Sequence, residues 1–114
     1  MSINKWIARR LTIGGTARVI AKQYTWCRQN KFKETAPDRL IFHEIIMLRF
    51  KFPDSRDLIH MVEEGKIRGL KDLVIEVLSI EAGYRKNTLE NQLMFSEIIE
   101  EELLKKNIPL SAIK

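Results

Sequence analysis

The stretch that most constrains the fold is GLKDLVIEVLSIEAG, which spans residues 69–83. Its apolar residues recur at the i, i+3, i+4, i+7 spacing of an amphipathic helix. The apolar face carries Leu70, Leu73, Val74, Val77, Leu78 and Tyr84, and the opposite face carries Asp72, Glu76 and Ser79. A strand would need strict alternation of apolar and polar residues, which the continuous run 73–75 breaks. The stretch therefore predicts a core helix over residues 70–82 that ends at Gly83.

Two helices are predicted before this one, in the N-terminal third of the chain. Residues 2–13 form a short amphipathic pattern, and the pair Gly14-Gly15 is expected to break or sharply bend the helix there. Thr16 is then expected to cap a second helix that runs to about Asn30. The core face of that helix should carry Ala17, Ile20, Ala21, Tyr24 and Cys27.

The rest of the chain predicts three further helices, over about 37–51, 54–65 and 88–106. Pro37 suits the first turn of one, Asp54 or Ser55 can cap the next, and Asn107 and Pro109 end the last. A chain of 114 residues is large enough for one modest core. The fold class predicted is an all-α compact bundle of five to six helices in a single domain, with the helices at 37–51 and 70–82 in the centre.

The charge of the chain is distributed unevenly. Residues 1–39 hold nine Lys and Arg but only two acids, Glu34 and Asp38, although the whole chain carries only +5. This predicts a basic N-terminal helical arm, residues 1–33, packed on or exchanged with a body of residues 34–114. Such an arm suits nucleic acid, an anionic surface, or an acidic segment of the same protein.

An apolar patch in the arm suggests an interface. Val19 and Trp26 share the side of their helix that faces away from the predicted core, and one small core does not need a second apolar side. The candidate partner interface comprises Trp6, Ile7, Leu11, Val19 and Trp26. The leading hypothesis is a non-enzymatic interaction or regulatory module that self-associates through its N-terminal helices or docks a protein partner.

The first alternative hypothesis is a nucleic-acid-binding accessory protein. Its candidate phosphate contacts are Arg9, Arg10, Arg18, Lys22 and Arg28. The helix at 70–82 has too little polar surface to read bases, so only backbone contact is expected.

A second alternative is a small helical carboxylate or metal protein. Glu81 projects into the apolar arc of its helix, so it either reaches water in the last turn or pairs with Arg85, Arg49 or a histidine. The buried polar candidates are His43, Glu44, Arg49 and Glu81. A neighbour is expected to satisfy His43.

The sequence nevertheless favours no metal site. Met47 stands where an H-E-x-x-H motif beginning at His43 needs its second histidine, so that motif is incomplete. Glu97, Glu100, Glu101 and Glu102 favour a solvated acidic stripe, or one that meets the basic helices in a dimer. No catalytic residue, metal or cofactor is predicted.

Location is inferred from two features. The single cysteine, Cys27, suits a reducing compartment. No apolar run approaches the ~18 residues that would span a bilayer. We expect a cytoplasmic protein and no membrane as partner. The acid-free start nevertheless also resembles a transit peptide or an interfacial helix in composition.

Overall fold

The computed structural model of the chain describes residues 12–81, Gly83 and residues 89–114. In these ranges it contains six helices and no strand. The helices are α1 (Thr12–Asn30), α2 (Asp38–Arg49), α3 (Asp54–Glu63), α4 (Leu70–Glu81), α5 (Leu89–Lys105) and α6 (Leu110–Ile113). The predicted all-α bundle is therefore confirmed. The radius of gyration is 13.5 Å, close to the roughly 13 Å expected for a compact domain of this length.

Helix α1 lies at the centre of the bundle. It packs against α5, α4 and α2, whereas the principal contacts of α2 with the other described helices are those with α1 and α3. The buried face of α1 carries Ile13, Ala17, Ile20, Ala21, Tyr24 and Cys27. The predicted core face is thus confirmed, but the prediction that the helix at 37–51 is central is wrong.

The predicted break at Gly14-Gly15 is also wrong. Helix α1 runs through both glycines without interruption, and Thr16 lies inside it instead of capping it. A glycine within a helix costs about 1 kcal/mol relative to alanine. Burial of Ile13, Gly14 and Ala17 against the neighbouring helices offsets that cost, because tertiary packing supplies most helix stability in a folded domain.

Helix α4 matches the prediction made for the stretch 69–83. Leu70, Leu73, Val74, Val77 and Leu78 are all buried on one face. Gly83 follows the helix with a φ of 65°, the left-handed conformation that glycine adopts without steric penalty. Tyr84 and Arg85 lie outside the described residues.

Helix α2 is amphipathic and buries only one of its faces, which does not fit a helix in the centre of the bundle. Its buried face carries Ile41, Phe42, Ile45 and Ile46. Met47 and Leu48 are 59% and 60% exposed. Since α1 and α3 cover only one side of α2, its other apolar residues remain at the surface.

The ends of α3 and α5 share one hydrogen-bonding pattern. Gly65 has a φ of 76°, its N–H donates to Val62, and the N–H of Lys66 donates to Met61. Asn107, with a φ of 62°, forms the equivalent pair of bonds at the end of α5. Both are Schellman motifs, in which a left-handed residue lets orphan carbonyls accept hydrogen bonds. The predicted stops at Gly65 and Asn107 are confirmed.

The predicted helix starts are less accurate. Pro37 and Pro53 occupy the N-cap positions of α2 and α3, and neither helix has a side-chain capping hydrogen bond. Asp54 and Ser55 are therefore the first helical residues of α3 and do not cap it. Asn87, which with Glu90 forms a capping-box-like pattern before α5, lies outside the described residues.

The short helix α6 was not predicted, and it closes the bundle at Gly69. A Cβ atom added to Gly69 would lie 2.6 Å from the carbonyl carbon of Lys114 and closer still to the backbone oxygen of Ile113. Ala112 and Ile113 are both buried. The absence of a side chain at Gly69 is thus what lets the C-terminal turn pack against the start of α4.

We expect Gly69→Ala to destabilise the protein by about 1–3 kcal/mol, because its methyl group would displace packed backbone. Gly15→Ala is the matched control, since its new Cβ would meet only the Arg18 guanidinium, 4.0 Å away. That control should raise stability by about 0.5–1 kcal/mol, because alanine favours a helix interior. Urea unfolding of both variants measures the difference, and equal effects of the two changes would contradict the packing described at Gly69.

Candidate functional site

An exposed apolar face of α1 forms the candidate site. Val19 and Trp26 are 44% and 55% exposed, although the opposite face of the same helix is fully buried. They line a groove of about 480 Å³ on the surface, which we call the α1 groove. The lining residues are Arg18, Val19, Lys22, Thr25, Trp26, Gln29 and Lys106.

Two lysines of the α1 groove have no acidic partner among the described residues. Lys22 and Lys106 are exposed, and neither forms an ion pair within the part of the chain that the structure describes. Lys106 comes from the residues after α5, more than 80 positions from Lys22 in the sequence. No pattern in the sequence points to Lys106, because only tertiary packing places it beside α1.

Arg18 has a structural contact in addition to its place in the groove. Its Nη1 atom lies 3.3 Å from Oε2 of Glu102, which is only 5% exposed. Lys105 adds a second cation 3.7 Å from the same carboxylate. A buried carboxylate needs such partners, because an unpaired charge away from water is costly. The ion pair therefore ties α1 to α5.

The expected solvated acidic stripe on α5 is only partly present. Glu97 is exposed, but Glu102 is buried against α1. Glu100 is half-buried and lies 3.6 Å from Lys71 and 4.0 Å from Lys114. These acids meet basic residues of the same chain because α5 packs across both α1 and α4.

Arg28, a predicted phosphate contact, is engaged inside the protein. Its guanidinium donates to the backbone oxygens of Lys33 and Ala36 and to Oδ1 of Asp38, at 2.5 Å. The Tyr24 hydroxyl donates to the same Asp38 oxygen at 2.6 Å. The cluster fixes the loop between α1 and α2 and forms part of a wider polar cleft beside the α1 groove.

The electrostatics of this cluster follow from its burial. Burial raises the pKa of the Tyr24 hydroxyl, and its hydrogen bond to Asp38 raises it further. Burial would lower the pKa of Arg28, but the neighbouring Tyr24 hydroxyl and the hydrogen bond to Asp38 raise it overall. Both groups therefore keep their protons at neutral pH, and the cluster serves as an ion pair with a hydrogen-bonded phenol.

Burial also raises the pKa of the Cys27 thiol, with Glu44 adding to this effect and Lys31 opposing it. The thiol is fully buried in the core. Cys27 is thus protonated and inaccessible, the opposite of the environment that activates a cysteine nucleophile.

The predicted buried polar residues do not form one cluster. Arg49 donates to both carboxylate oxygens of Glu81, at 2.6 and 2.8 Å, and Glu81 lies in the last turn of α4 at the surface. Glu44 pairs with Lys31 at 2.5 Å. His43 is half-buried, and its Nε2 has no hydrogen-bond partner among the residues that the structure describes, contrary to the expectation that a neighbour satisfies it.

No group of three His, Cys, Asp or Glu residues that could hold a metal ion occurs in the described ranges. Five predicted interface or phosphate residues lie outside those ranges, namely Trp6, Ile7, Arg9, Arg10 and Leu11. Of the predicted site residues, the structure brings Arg18, Val19, Lys22 and Trp26 together in the α1 groove.

Comparison of the chain with models of protein families, with curated proteins and with solved structures found no match. Within the described residues, none of the helices has the length and apolar character required to cross a bilayer.

A comparison of Arg18→Gln with Lys22→Gln tests whether Arg18 stabilises the fold and whether Lys22 on the same helix does not. Loss of Arg18 leaves the buried Glu102 with Lys105 as its one remaining cation among the described residues, so we expect a cost of about 1–2 kcal/mol, reduced by the partial exposure of Arg18. Lys22→Gln should change stability by less than about 0.5 kcal/mol. Thermal or urea unfolding measures both, and an equal cost for the two variants would contradict these assignments.

Proposed function

We propose that this protein is a non-enzymatic interaction module that docks a protein partner in the α1 groove. The observation that carries the proposal is the two-sided character of α1, which buries one apolar face completely and leaves Val19 and Trp26 exposed. The fold already has its core without these two side chains. Their exposure therefore suits an interface with another molecule.

The composition of the α1 groove supports a protein partner. Tryptophan is among the residues that contribute most to protein–protein binding, because it combines a large apolar area with few rotatable bonds. Thr25 and Gln29 offer polar groups at the edge of the same groove. An apolar centre with polar and charged groups around it is the usual arrangement of a specific protein interface.

Charged residues that could be taken for catalytic groups instead form ion pairs between helices or between a helix and a loop, which supports a structural role for them. Arg18 with Glu102, Arg28 with Asp38, and Arg49 with Glu81 each join two different parts of the fold. We therefore assign these charges to holding the helices together. The proposal places the module in the cytoplasm, where a single buried thiol such as Cys27 stays reduced.

One observation favours nucleic acid as a second candidate. Trp26 is exposed in a groove that also holds Lys22 and Lys106, and an aromatic ring with nearby cations can stack on a base while lysines contact phosphates. Arg18 and Arg28 contribute less than the sequence implied, because Glu102 and Asp38 already pair with them. Lys22→Glu with Lys106→Glu is therefore the variant that tests this candidate.

The proposal predicts that Trp26→Glu abolishes partner binding. Partners captured on the wild-type protein should be purified and titrated by calorimetry against wild type, Trp26→Glu and Met47→Glu. We expect Trp26→Glu to weaken binding at least 30-fold, corresponding to about 2 kcal/mol for a central aromatic anchor. Met47→Glu is the control, since Met47 is similarly exposed on α2 and lies outside the groove.

Binding that survives Trp26→Glu, or that Met47→Glu weakens equally, would contradict the proposal. Size-exclusion chromatography with light scattering, at low and high salt, separates the remaining cases. A salt-resistant dimer that Trp26→Glu dissociates would identify self-association. Excess absorbance at 260 nm that Lys22→Glu with Lys106→Glu removes would favour the nucleic-acid candidate instead.

A further inference from the structure

From the charges around the α1 groove, we infer that its partner is an acidic amphipathic helix. This inference rests on the proposed function and specifies the chemistry of the partner.

The sign of the charge follows from the groove lining. Its charged residues are Arg18, Lys22 and Lys106, and no acid lines it among the described residues. Glu102 pairs with Arg18 from inside the protein, and the described part of the chain offers no acid to Lys22 or Lys106, so both lysines face a bound ligand uncompensated. A ligand with acidic residues beside its apolar anchors gains attraction at both lysines, and a basic ligand meets repulsion.

The adjoining cleft does not reverse this charge. It meets the α1 groove at Thr25, Gln29 and Lys106 and brings in Glu34 and Asp38. Asp38 is paired with Arg28, and Lys33 lies in the same cleft as Glu34. Uncompensated positive charge therefore lies in the α1 groove itself, beside Trp26.

The shape of the exposed apolar residues suits a helix. Val19 and Trp26 are seven positions apart, or about 10 Å along the axis of α1. A partner helix packed alongside presents apolar side chains at i, i+3, i+4 and i+7 over the same distance. Lys22 lies between Val19 and Trp26 along α1. An acidic residue of the partner helix, one turn from an apolar side chain that contacts Val19 or Trp26, would therefore come within reach of Lys22.

A second copy of this chain fits the groove less well. In a two-fold dimer the same patch lies on both sides of the interface, so Lys22 and Lys106 of each copy would face a surface of the same charge. The chain also has no acid before Glu34, so no acidic residue of its first 33 positions could pair with these lysines. An interface between N-terminal segments would therefore be repulsive.

A nucleic-acid strand also fits less well than an acidic helix. Strand-binding surfaces combine a charged track with several aromatic side chains on which successive bases stack. The α1 groove offers one aromatic side chain, Trp26, with Val19 as its other large apolar lining residue. One aromatic and one aliphatic side chain suit the apolar anchors of a helix better than a series of bases.

Selection of helical peptides from a displayed random library tests the inference directly, because binding to the protein alone determines which peptides are enriched. Four proteins serve as targets: the wild type, Trp26→Glu, the charge reversal Lys22→Glu with Lys106→Glu, and the control reversal Lys51→Glu with Arg56→Glu. Lys51 and Arg56 are exposed and lie outside the α1 groove. The folding of each variant is checked by circular dichroism and by its unfolding transition.

We expect the wild type and the control to enrich the same peptides, with large apolar residues at helical spacing and net negative charge. Trp26→Glu should lose these peptides. The groove reversal should bind them about tenfold more weakly and should select basic peptides in their place. Peptide affinity for the wild type should also fall as salt rises, because exposed charges are screened.

The outcomes distinguish the inference from the function on which it rests. Peptides that depend on Trp26 but carry no acidic bias, or that the groove reversal does not affect, would overturn the acidic partner and leave the docking function intact. Failure to select any Trp26-dependent peptide would overturn both. Tight binding of a fluorescent single-stranded oligonucleotide, lost in the groove reversal, would overturn the inference in favour of nucleic acid.

Discussion

Burial of the inner face of α1 is the interaction on which the rest of the structure depends. This face, from Ile13 to Cys27, contacts α2, α4 and α5, so each of these helices has its position set by α1. The α2–α3 pair and the short α6 complete the bundle around them. The same helix also presents Val19 and Trp26 outward, so it supplies both the centre of the core and the candidate binding surface.

Like its apolar residues, the charged residues of α1 fall into two groups: some contact other parts of the protein, and others face solvent. Arg18 and Arg28 pair with Glu102 and Asp38 and connect α1 to its neighbours. Lys22 has no such partner among the described residues and lines the α1 groove with Trp26. The basic residues of α1 therefore have two physical roles. Some of them stabilise the fold, and others remain available to an acidic ligand.

Local patterning predicted the parts of the fold that depend on neighbouring residues in sequence. The periodicity of residues 70–78 predicted α4 and its buried face, and Gly83 marked its end, because amphipathic spacing and left-handed residues are local signals. The course of α1 through Gly14-Gly15 was not predicted, since tertiary burial outweighs local glycine propensity there. The exposure of Met47 and Leu48 was also missed, because it depends on which neighbours cover α2.

The candidate site was predictable to a similar extent. Val19 and Trp26 were identified because their helical spacing places them opposite the core face. The pairing of Arg18 with Glu102 and the position of Lys106 beside Trp26 depend on how α5 packs across α1. No pattern within either segment contains that information. The sequence pattern therefore counted Arg18 and Arg28 as cations available to a ligand, although both are paired within the protein. It also gave no sign of Lys106, which comes from a distant part of the chain.

Native-state hydrogen exchange tests most directly whether α1 is the centre of the fold. The backbone amides of Ile20 to Cys27 should exchange with the same free energy of opening as those of Val74 to Leu78 and of Ile98 and Ile99, because all of them open only when the whole domain unfolds. Exchange of the α1 amides at a distinctly lower free energy would mean that α1 detaches as a separate arm. That result would contradict the central role assigned to this helix.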